Sequence, residues 1–249
     1  MGQYRGVYIN DFSRILNDEH ALQSMIQWVD KEEFSHVSLY DLHQILPSPV
    51  ATRRLQEVIS RFHQHQIKVV GVFGGRETFE TYFDAFQLQA GEDGLDAVNM
   101  EYEWWVGRDH FEKFELEVGP LSRVDVPLET YIGWLSKGRK KRLAQAERLI
   151  ELSDLITIHA YQKEPAAAYV RDRLKGLQRA AEHLDTSVDI AFIYSMEAEF
   201  SGPLSSKHSY DQIHQQLLAE LNQSKYPNLR IVGWKVFCYT EAIHYRPLR

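Results

Sequence analysis

Two glutamates at the end of one apolar stretch are the side chains best placed for acid–base chemistry. The stretch reads LDAVNMEYE over residues 95–103. As a β-strand it puts Asn99, Glu101 and Glu103 on one face, because strand side chains alternate between faces. Carboxylates two residues apart on one face lie about 7 Å apart, and their repulsion raises the pKa of one of them. A protonated carboxyl group beside an ionised one is the pair that glycosidases need.

The plainer interpretation is a strand end in water whose glutamates have no role. Burying a glutamate without a partner is costly, and the apolar side chains Val98, Met100 and Tyr102 on the opposite face suit packing against helices. The stretch therefore reads as a central strand, which favours a functional role for the acidic face.

Eight short apolar runs rich in Val, Ile, Tyr and Phe predict strands, and periodic stretches between them predict helices. The predicted strands span residues 5–10, 36–41, 68–73, 95–103, 129–135, 155–161, 188–194 and 230–239. The predicted helices span residues 21–30, 50–66, 78–88, 140–152, 165–183 and 209–221, and residues 107–126 are partly helical.

Regular alternation of strands and helices predicts parallel strands joined by right-handed crossovers. Eight strands in 249 residues fit a single (β/α)8 TIM barrel spanning residues 1–249. The chain ends ten residues after the last strand, so the final helix is short or missing. A doubly wound open sheet is the competing architecture, but the first loop, YINDFS, lacks the glycines of a dinucleotide site.

In such barrels the active site lies at the C-terminal ends of the strands. This position gives a set of candidate ligand-binding residues beyond the acidic strand. They are Tyr8, Tyr40, Gly74, Trp134, His159, Tyr161, Tyr194, Glu197 and Tyr239.

Three strand-end motifs resemble those of the family 18 glycoside hydrolases, the chitinase-like barrels. LDAVNMEYEW at residues 95–104 aligns without a gap with the family's fourth-strand pattern D-x-x-D-x-D-x-E. KVVGVFGG at residues 68–75 is similar to the third-strand K-V-L-L-S-I-G-G, and HAYQ at residues 159–162 is similar to the sixth-strand M-x-Y-D.

The resemblance implies a glycosidase that cleaves a glycan containing N-acetylhexosamine, without metal or cofactor. Glu103 matches the glutamate that protonates the glycosidic oxygen. Glu101 matches the aspartate that orients the acetamido group, Asn99 matches the preceding aspartate, and Tyr161 matches the supporting tyrosine. The attacking group is then the substrate's own acetamido carbonyl, an exception to the two-carboxylate rule.

Four positions depart from the family pattern. Glu101 and Asn99 each replace an aspartate, Val72 replaces a serine, and Gln162 replaces the aspartate after the tyrosine. These changes suit either an altered glycosidase or an inactive chitinase-like barrel that binds carbohydrate. A metal-assisted enzyme using Glu101, Glu103 and His159 is a third possibility, but no H-E-x-x-H or H-x-H spacing supports it, and we expect no metal.

The composition excludes some classes of binding partner. The net charge of −7 argues against a dedicated nucleic-acid binder, and no 18-residue apolar stretch predicts a membrane span. The N-terminus has no signal-peptide core, which leaves open a cytoplasmic protein or a secreted or periplasmic one whose signal was removed. The single cysteine, Cys238, lies in an apolar run and reads as a buried small hydrophobe.

Overall fold

Eight parallel strands close into a barrel, and they follow one another in chain order. The structure is a computed structural model that describes residues 3–106, 110–205 and 207–243. The strands are β1 Tyr4–Ile9, β2 His36–Leu39, β3 Lys68–Phe73, β4 Ala97–Met100, β5 Leu128–Ile132, β6 Leu155–His159, β7 Val188–Ser195 and β8 Leu229–Phe237. Because β1 pairs with both β2 and β8, the predicted (β/α)8 barrel is confirmed and the open sheet is wrong.

Helices follow the strands around the outside of the barrel. In the described part of the chain they are α1 Phe12–Leu16, α2 Glu19–Lys31, α3 Leu42–Ile45, α4 Pro49–Gln64, α5 Arg76–Ala90, α6 Phe111–Val118, α7 Arg139–Leu152, α8 Ala167–His183, α9 Gly202–Ser205, α10 Tyr210–Glu220 and α11 Tyr239–Ala242. The helix after β8 is thus a single turn, as predicted. None of the helices in the described ranges is long and apolar enough to cross a membrane.

Helix boundaries follow from ordinary capping chemistry. The Ser48 side chain accepts a hydrogen bond from the Ala51 amide and Pro49 occupies the first turn of α4, where a missing N–H costs nothing. The short helices α1 and α3, absent from the sequence prediction, begin after Asp11 and Asp41, which adopt left-handed backbone angles. Aspartate tolerates this conformation better than most residues, so these two strand-to-helix turns need no glycine.

The predicted fourth strand is longer than the observed one. Only Ala97–Met100 forms the regular ladder, although the Glu101 amide still donates to the Phe73 carbonyl. At the other end, the Asp96 carboxylate accepts hydrogen bonds from the Val69 amide at 2.7 Å and from the His63 ring at 2.9 Å. The first acidic residue of the motif therefore ties two strands together, while Glu101 and Glu103 extend beyond the ladder.

The barrel interior is built from layers contributed by alternate strands, as closure of eight parallel strands requires. Tyr8, Val72, Tyr131 and Ile193 come from the odd-numbered strands and form a hydrophobic cluster of their own. The even-numbered strands contribute a polar set that is fully buried: Ser38, Asn99, Thr157 and Lys235. The barrel interior therefore contains both an apolar set of side chains and a polar one.

A buried ion pair holds the centre of this polar region. The Lys235 ammonium forms a salt bridge with the Glu129 carboxylate and donates to Ser38 Oγ at 2.9 Å. The Tyr4 hydroxyl donates to the other Glu129 oxygen at 2.7 Å. Burial lowers the pKa of Lys235, and the Glu129 carboxylate opposes that effect. The network spans β1, β2, β5 and β8, so it links strands on different sides of the barrel.

We predict that Lys235→Met lowers the free energy of unfolding by about 3–5 kcal/mol, because it leaves the Glu129 carboxylate buried without its counter-ion. The double variant Lys235→Met/Glu129→Gln, which also removes the charge of Glu129, is expected to lose less. Urea denaturation of the three proteins measures both differences. A double variant that is less stable than Lys235→Met would contradict the role assigned to the uncompensated charge.

Candidate functional site

A small pocket opens at the C-terminal end of the barrel. Its volume is about 110 Å³, well below the roughly 300–1,000 Å³ of pockets that enclose a drug-sized ligand. The lining combines aromatic rings with carboxylates: Tyr8, Tyr40, Glu101, Glu103, Tyr131, His159, Tyr161, Ile193 and Phe237. A pocket of this size suits one substituent or one ring of a larger ligand whose remainder stays outside.

Glu101 is the more enclosed of the two pocket carboxylates. Its Oε1 accepts a hydrogen bond from the Tyr40 hydroxyl at 3.0 Å. Burial raises the pKa of Glu101; the hydrogen bond from Tyr40 lowers it, and the nearby Glu103 charge raises it. The neighbouring charge thus raises the pKa of Glu101, as the strand alternation predicted, although loss of water raises it more.

Glu103 lies at the mouth of the pocket and is exposed. Partial burial raises its pKa. Within the described residues no hydrogen bond or ion pair holds its carboxylate. A carboxyl group at the rim with a raised pKa holds a proton more readily than a free one, and it can reach an atom of a ligand that protrudes from the pocket.

One wall of the pocket is a stack of three rings. His159 lies between Tyr131 and Tyr161, with centroid distances of 5.0 and 4.4 Å and nearly parallel planes. Burial, with a smaller contribution from Arg173, lowers the pKa of His159 to about 3. The imidazole is therefore neutral at physiological pH and contributes a polar aromatic face rather than a charge.

Trp105 supports this wall from outside. Its indole meets Tyr131 and His159 edge-on at 5.3 and 5.6 Å. A Cβ on Gly133 would overlap the indole of Trp105, so only glycine leaves room for the ring there.

Several other predicted residues lie near the barrel mouth but do not line the pocket. Gly74 borders a neighbouring cavity with His43 and Glu77. Glu197 accepts a hydrogen bond from Ser195 Oγ at 2.7 Å. Trp134 is 49% exposed and its ring stacks with the Arg173 guanidinium.

Three more predicted residues are buried away from the pocket. The Tyr194 side chain faces the helices, where its hydroxyl contacts His214 at 2.9 Å. Tyr239 belongs to α11 and packs edge-on against Trp28. Asn99 is fully buried near the Tyr8 hydroxyl, and neither group has a well-aligned hydrogen-bond partner among the described residues. Tyr194 lies outside because its neighbour Ile193 takes the inward position of β7, and Tyr239 lies outside because β8 ends at Phe237 and the chain continues as α11.

Three lining residues are not among the predicted ones. Tyr131, Ile193 and Phe237 occupy inward positions of β5, β7 and β8. Two of them follow a buried charged residue by two positions, since Tyr131 follows Glu129 and Phe237 follows Lys235. A charge inside an apolar strand run marks the inward face, and that signal would have found them. In the described residues no group of three or more His, Cys, Asp or Glu side chains has metal-binding geometry.

Comparison with known proteins gives likeness in fold at low sequence identity. No protein-family model matches the chain, and no curated protein sequence matches it. A GH5_18 protein from Streptomyces cattleya, solved in complex with GlcNAc, has a TM-score of 0.61 at 11% identity, covering 95% of this chain and 70% of that one. The β-glycosidase BGL167 has a TM-score of 0.57 at 12% identity, covering 90% and 77%.

The same fold also occurs in proteins with other chemistry. A dihydrodipicolinate synthase from Agrobacterium tumefaciens str. C58 has a TM-score of 0.56 at 13% identity, covering 99% of this chain and 73% of that one. Structural neighbours therefore include both glycosidases and aldolase-like barrels. At these identities they establish the barrel and leave the chemistry to the site itself.

We predict that Glu101→Gln raises Tm near pH 7 by a few degrees. The folded-state pKa of Glu101 is raised above its usual 4.5, so the fold favours the protonated form and ionisation costs stability. The advantage of the variant is expected to shrink as pH falls through the raised pKa and to vanish below about 4.5. Thermal unfolding across this pH range measures it.

The matched control for that experiment is Glu199→Gln, which alters an exposed carboxylate near the barrel mouth. This variant should unfold like the parent at every pH. A Glu101→Gln advantage that is the same at pH 4 and pH 7 would show that the ionisation of Glu101 does not cost stability.

We also predict that Tyr40→Phe raises the pKa of Glu101 further, because it removes the hydroxyl that stabilises the ionised carboxylate. Carboxyl carbon chemical shifts followed by NMR as a function of pH report this pKa directly. An unchanged or lowered pKa in the variant would mean that the Tyr40 hydrogen bond does not favour ionised Glu101 in solution.

Proposed function

We propose that the protein is a glycoside hydrolase that acts at the C-terminal mouth of the barrel. The observation that carries the proposal is the pair of carboxyl groups, Glu101 and Glu103, both with raised pKa values, beside a pocket walled by aromatic rings. Apolar ring faces suit the faces of a sugar, and a protonated carboxyl group suits a leaving glycosidic oxygen.

In this proposal Glu103 is the general acid and base. Its position at the rim lets it protonate the glycosidic oxygen while one sugar substituent occupies the pocket. After the leaving group departs, the resulting carboxylate removes a proton from the attacking water. One residue performs both steps because it is reprotonated in the second.

The substrate class we propose is a glycan containing N-acetylhexosamine. The pocket volume of about 110 Å³ suits an acetamido group, with Glu101 as acceptor for its N–H and Tyr161 beside it. The acetamido carbonyl then attacks the anomeric carbon as the glycosidic bond breaks, which requires no protein nucleophile. The similarity of the fourth-strand motif to family 18 supports this assignment.

The site gives less support to a mechanism in which a lysine amine bonds to the carbonyl group of a substrate than it gives to glycoside hydrolysis. A lysine that forms a covalent bond with a carbonyl substrate needs an accessible neutral amine. None of the lining residues in the described part of the chain is a lysine. Lys235 is fully buried within the barrel and paired with Glu129, so it cannot reach a substrate in the pocket.

One observation favours a second candidate, a barrel that binds carbohydrate without cleaving it. Glu103 is exposed, and within the described residues no hydrogen bond orients its carboxyl group. A general acid depends on its position relative to the leaving oxygen. A sugar held by the ring wall alone would bind and leave unchanged.

The test is hydrolysis of chromogenic N-acetylglucosaminide oligomers by the parent protein, Glu103→Gln and the control Glu199→Gln. We predict that Glu103→Gln lowers kcat by about 10²–10⁴-fold, the usual contribution of general acid–base catalysis, and keeps binding. Glu199→Gln should retain full activity. Parallel assays with the corresponding glucosides, which lack the acetamido group, should give no turnover if the substrate assists.

Each alternative outcome identifies what has failed. Full activity of Glu103→Gln would show that Glu103 is not the general acid. Equal turnover of glucosides would show that the protein is a glycosidase whose mechanism does not use the acetamido group of the substrate. Binding of the oligomers by the parent without turnover would establish the second candidate in place of the first.

A further inference from the structure

The pocket carries an unbalanced negative charge. Glu101 and Glu103 line it, and no lysine or arginine of the described chain does so. Neither carboxylate forms a salt bridge with a described residue. The nearby Arg173 is 1% exposed, and its guanidinium donates to the carbonyls of Gly133 and Tyr169. The Glu101 and Glu103 carboxylates therefore have no cationic partner among the described residues.

The rest of the lining is suited to a cation. Tyr8, Tyr40, Tyr131, Tyr161 and Phe237 present aromatic rings around the same space. The faces of such rings carry negative potential and attract an ammonium group placed within about 6 Å of the centroid. Aromatic walls also favour the alkyl groups of a substituted ammonium, which water solvates poorly.

The barrel already binds one ammonium group in this way, directly beneath the pocket. The Lys235 ammonium is held by the Glu129 carboxylate and lies 4.9 Å from the centroid of the Tyr8 ring and 5.5 Å from that of Tyr4. Tyr8 belongs to both places, since its ring also lines the pocket. A carboxylate with tyrosine faces around an ammonium is thus an arrangement that this chain already uses internally.

We propose that the pocket is a binding site for an organic ammonium group, with Glu101 as its counter-ion and the tyrosine and phenylalanine rings as its walls. Glu103 at the rim adds a second negative charge on the approach path when it is ionised. The proposal goes beyond the glycosidase assignment and does not depend on it, because it concerns ligand charge and not bond cleavage. Ligands of this class include a sugar with a free amine and a quaternary ammonium compound.

The test uses two molecules of nearly the same shape and different charge. Choline carries a trimethylammonium group, and 3,3-dimethyl-1-butanol has carbon in place of nitrogen and is neutral. Calorimetric titration of the full chain at constant ionic strength should give choline an affinity about tenfold or more above that of the neutral alcohol. Equal affinities, or no binding of choline, would overturn the proposal.

Charge-removing variants locate the site. Glu101→Gln should weaken choline binding about tenfold and leave binding of the neutral alcohol nearly unchanged, whereas Glu199→Gln should bind choline like the parent. Tyr161→Leu, which removes a ring and keeps the charges, should also weaken choline. Circular dichroism and Tm confirm that each variant is folded. Choline binding that is indifferent to Glu101→Gln and Tyr161→Leu places the cation elsewhere and overturns the assignment.

Amino sugars then identify the source of the ammonium group. Glucosamine binding more tightly than N-acetylglucosamine supports a cationic sugar as the ligand, and choline binding without glucosamine binding supports a non-sugar ammonium. The chromogenic assay of Glu103→Gln is scored separately. Hydrolysis without choline binding would support the glycosidase proposal and overturn the ammonium site. Choline binding without hydrolysis would support the ammonium site and overturn the glycosidase proposal.

Discussion

Closure of the sheet is the constraint on which the other features depend. Eight parallel strands paired in a ring direct every second side chain into one enclosed column, so a charge on an inward residue must find its counter-ion there. Glu129 and Lys235 meet across the column for this reason, because no solvent is available to either charge. The apolar layer containing Tyr8 and Tyr131 lies nearer the C-terminal ends of the strands than this ion pair, and the pocket forms where the column opens.

A buried carboxylate, Glu129, and a half-buried one, Glu101, occur in the same barrel, and their partners distinguish them. Glu129 has an ammonium group, and a tyrosine hydroxyl donates to it. Glu101 has only the hydroxyl of Tyr40 and a second carboxylate nearby. A fold selected for stability alone would pair or replace such a group. Retaining it in a pocket is the pattern expected where a site needs charge or protons, and the stability of the barrel interior offsets that cost.

The neighbours in fold do not decide between these chemistries. The same barrel occurs in a β-glycosidase and in a dihydrodipicolinate synthase, each below 15% identity to this chain. Function in such barrels is set by a few side chains at the strand ends. Here those side chains are two carboxyl groups, a neutral histidine and several tyrosines, with the nearest lysine enclosed below them. This composition favours acid–base or cation-binding chemistry over covalent lysine chemistry.

The amino-acid sequence alone predicts the barrel and the inward direction of Glu101, because strand alternation and the order of strands and helices are local properties. It also placed Tyr8, Tyr40, His159 and Tyr161 at strand ends, and all four line the pocket. It could not separate Tyr194 from Ile193, adjacent residues on β7, since one register choice decides which of the two faces inward.

Which strand ends meet and which groups surround each charge depend on the tertiary structure. The pairing of Glu129 with Lys235 joins residues 106 positions apart, and the stack of Tyr131, His159 and Tyr161 joins two neighbouring strands. The pKa values of Glu101 and His159 depend on loss of water around them. Burial of this kind arises from the closed column as a whole, and no local pattern of residues specifies it.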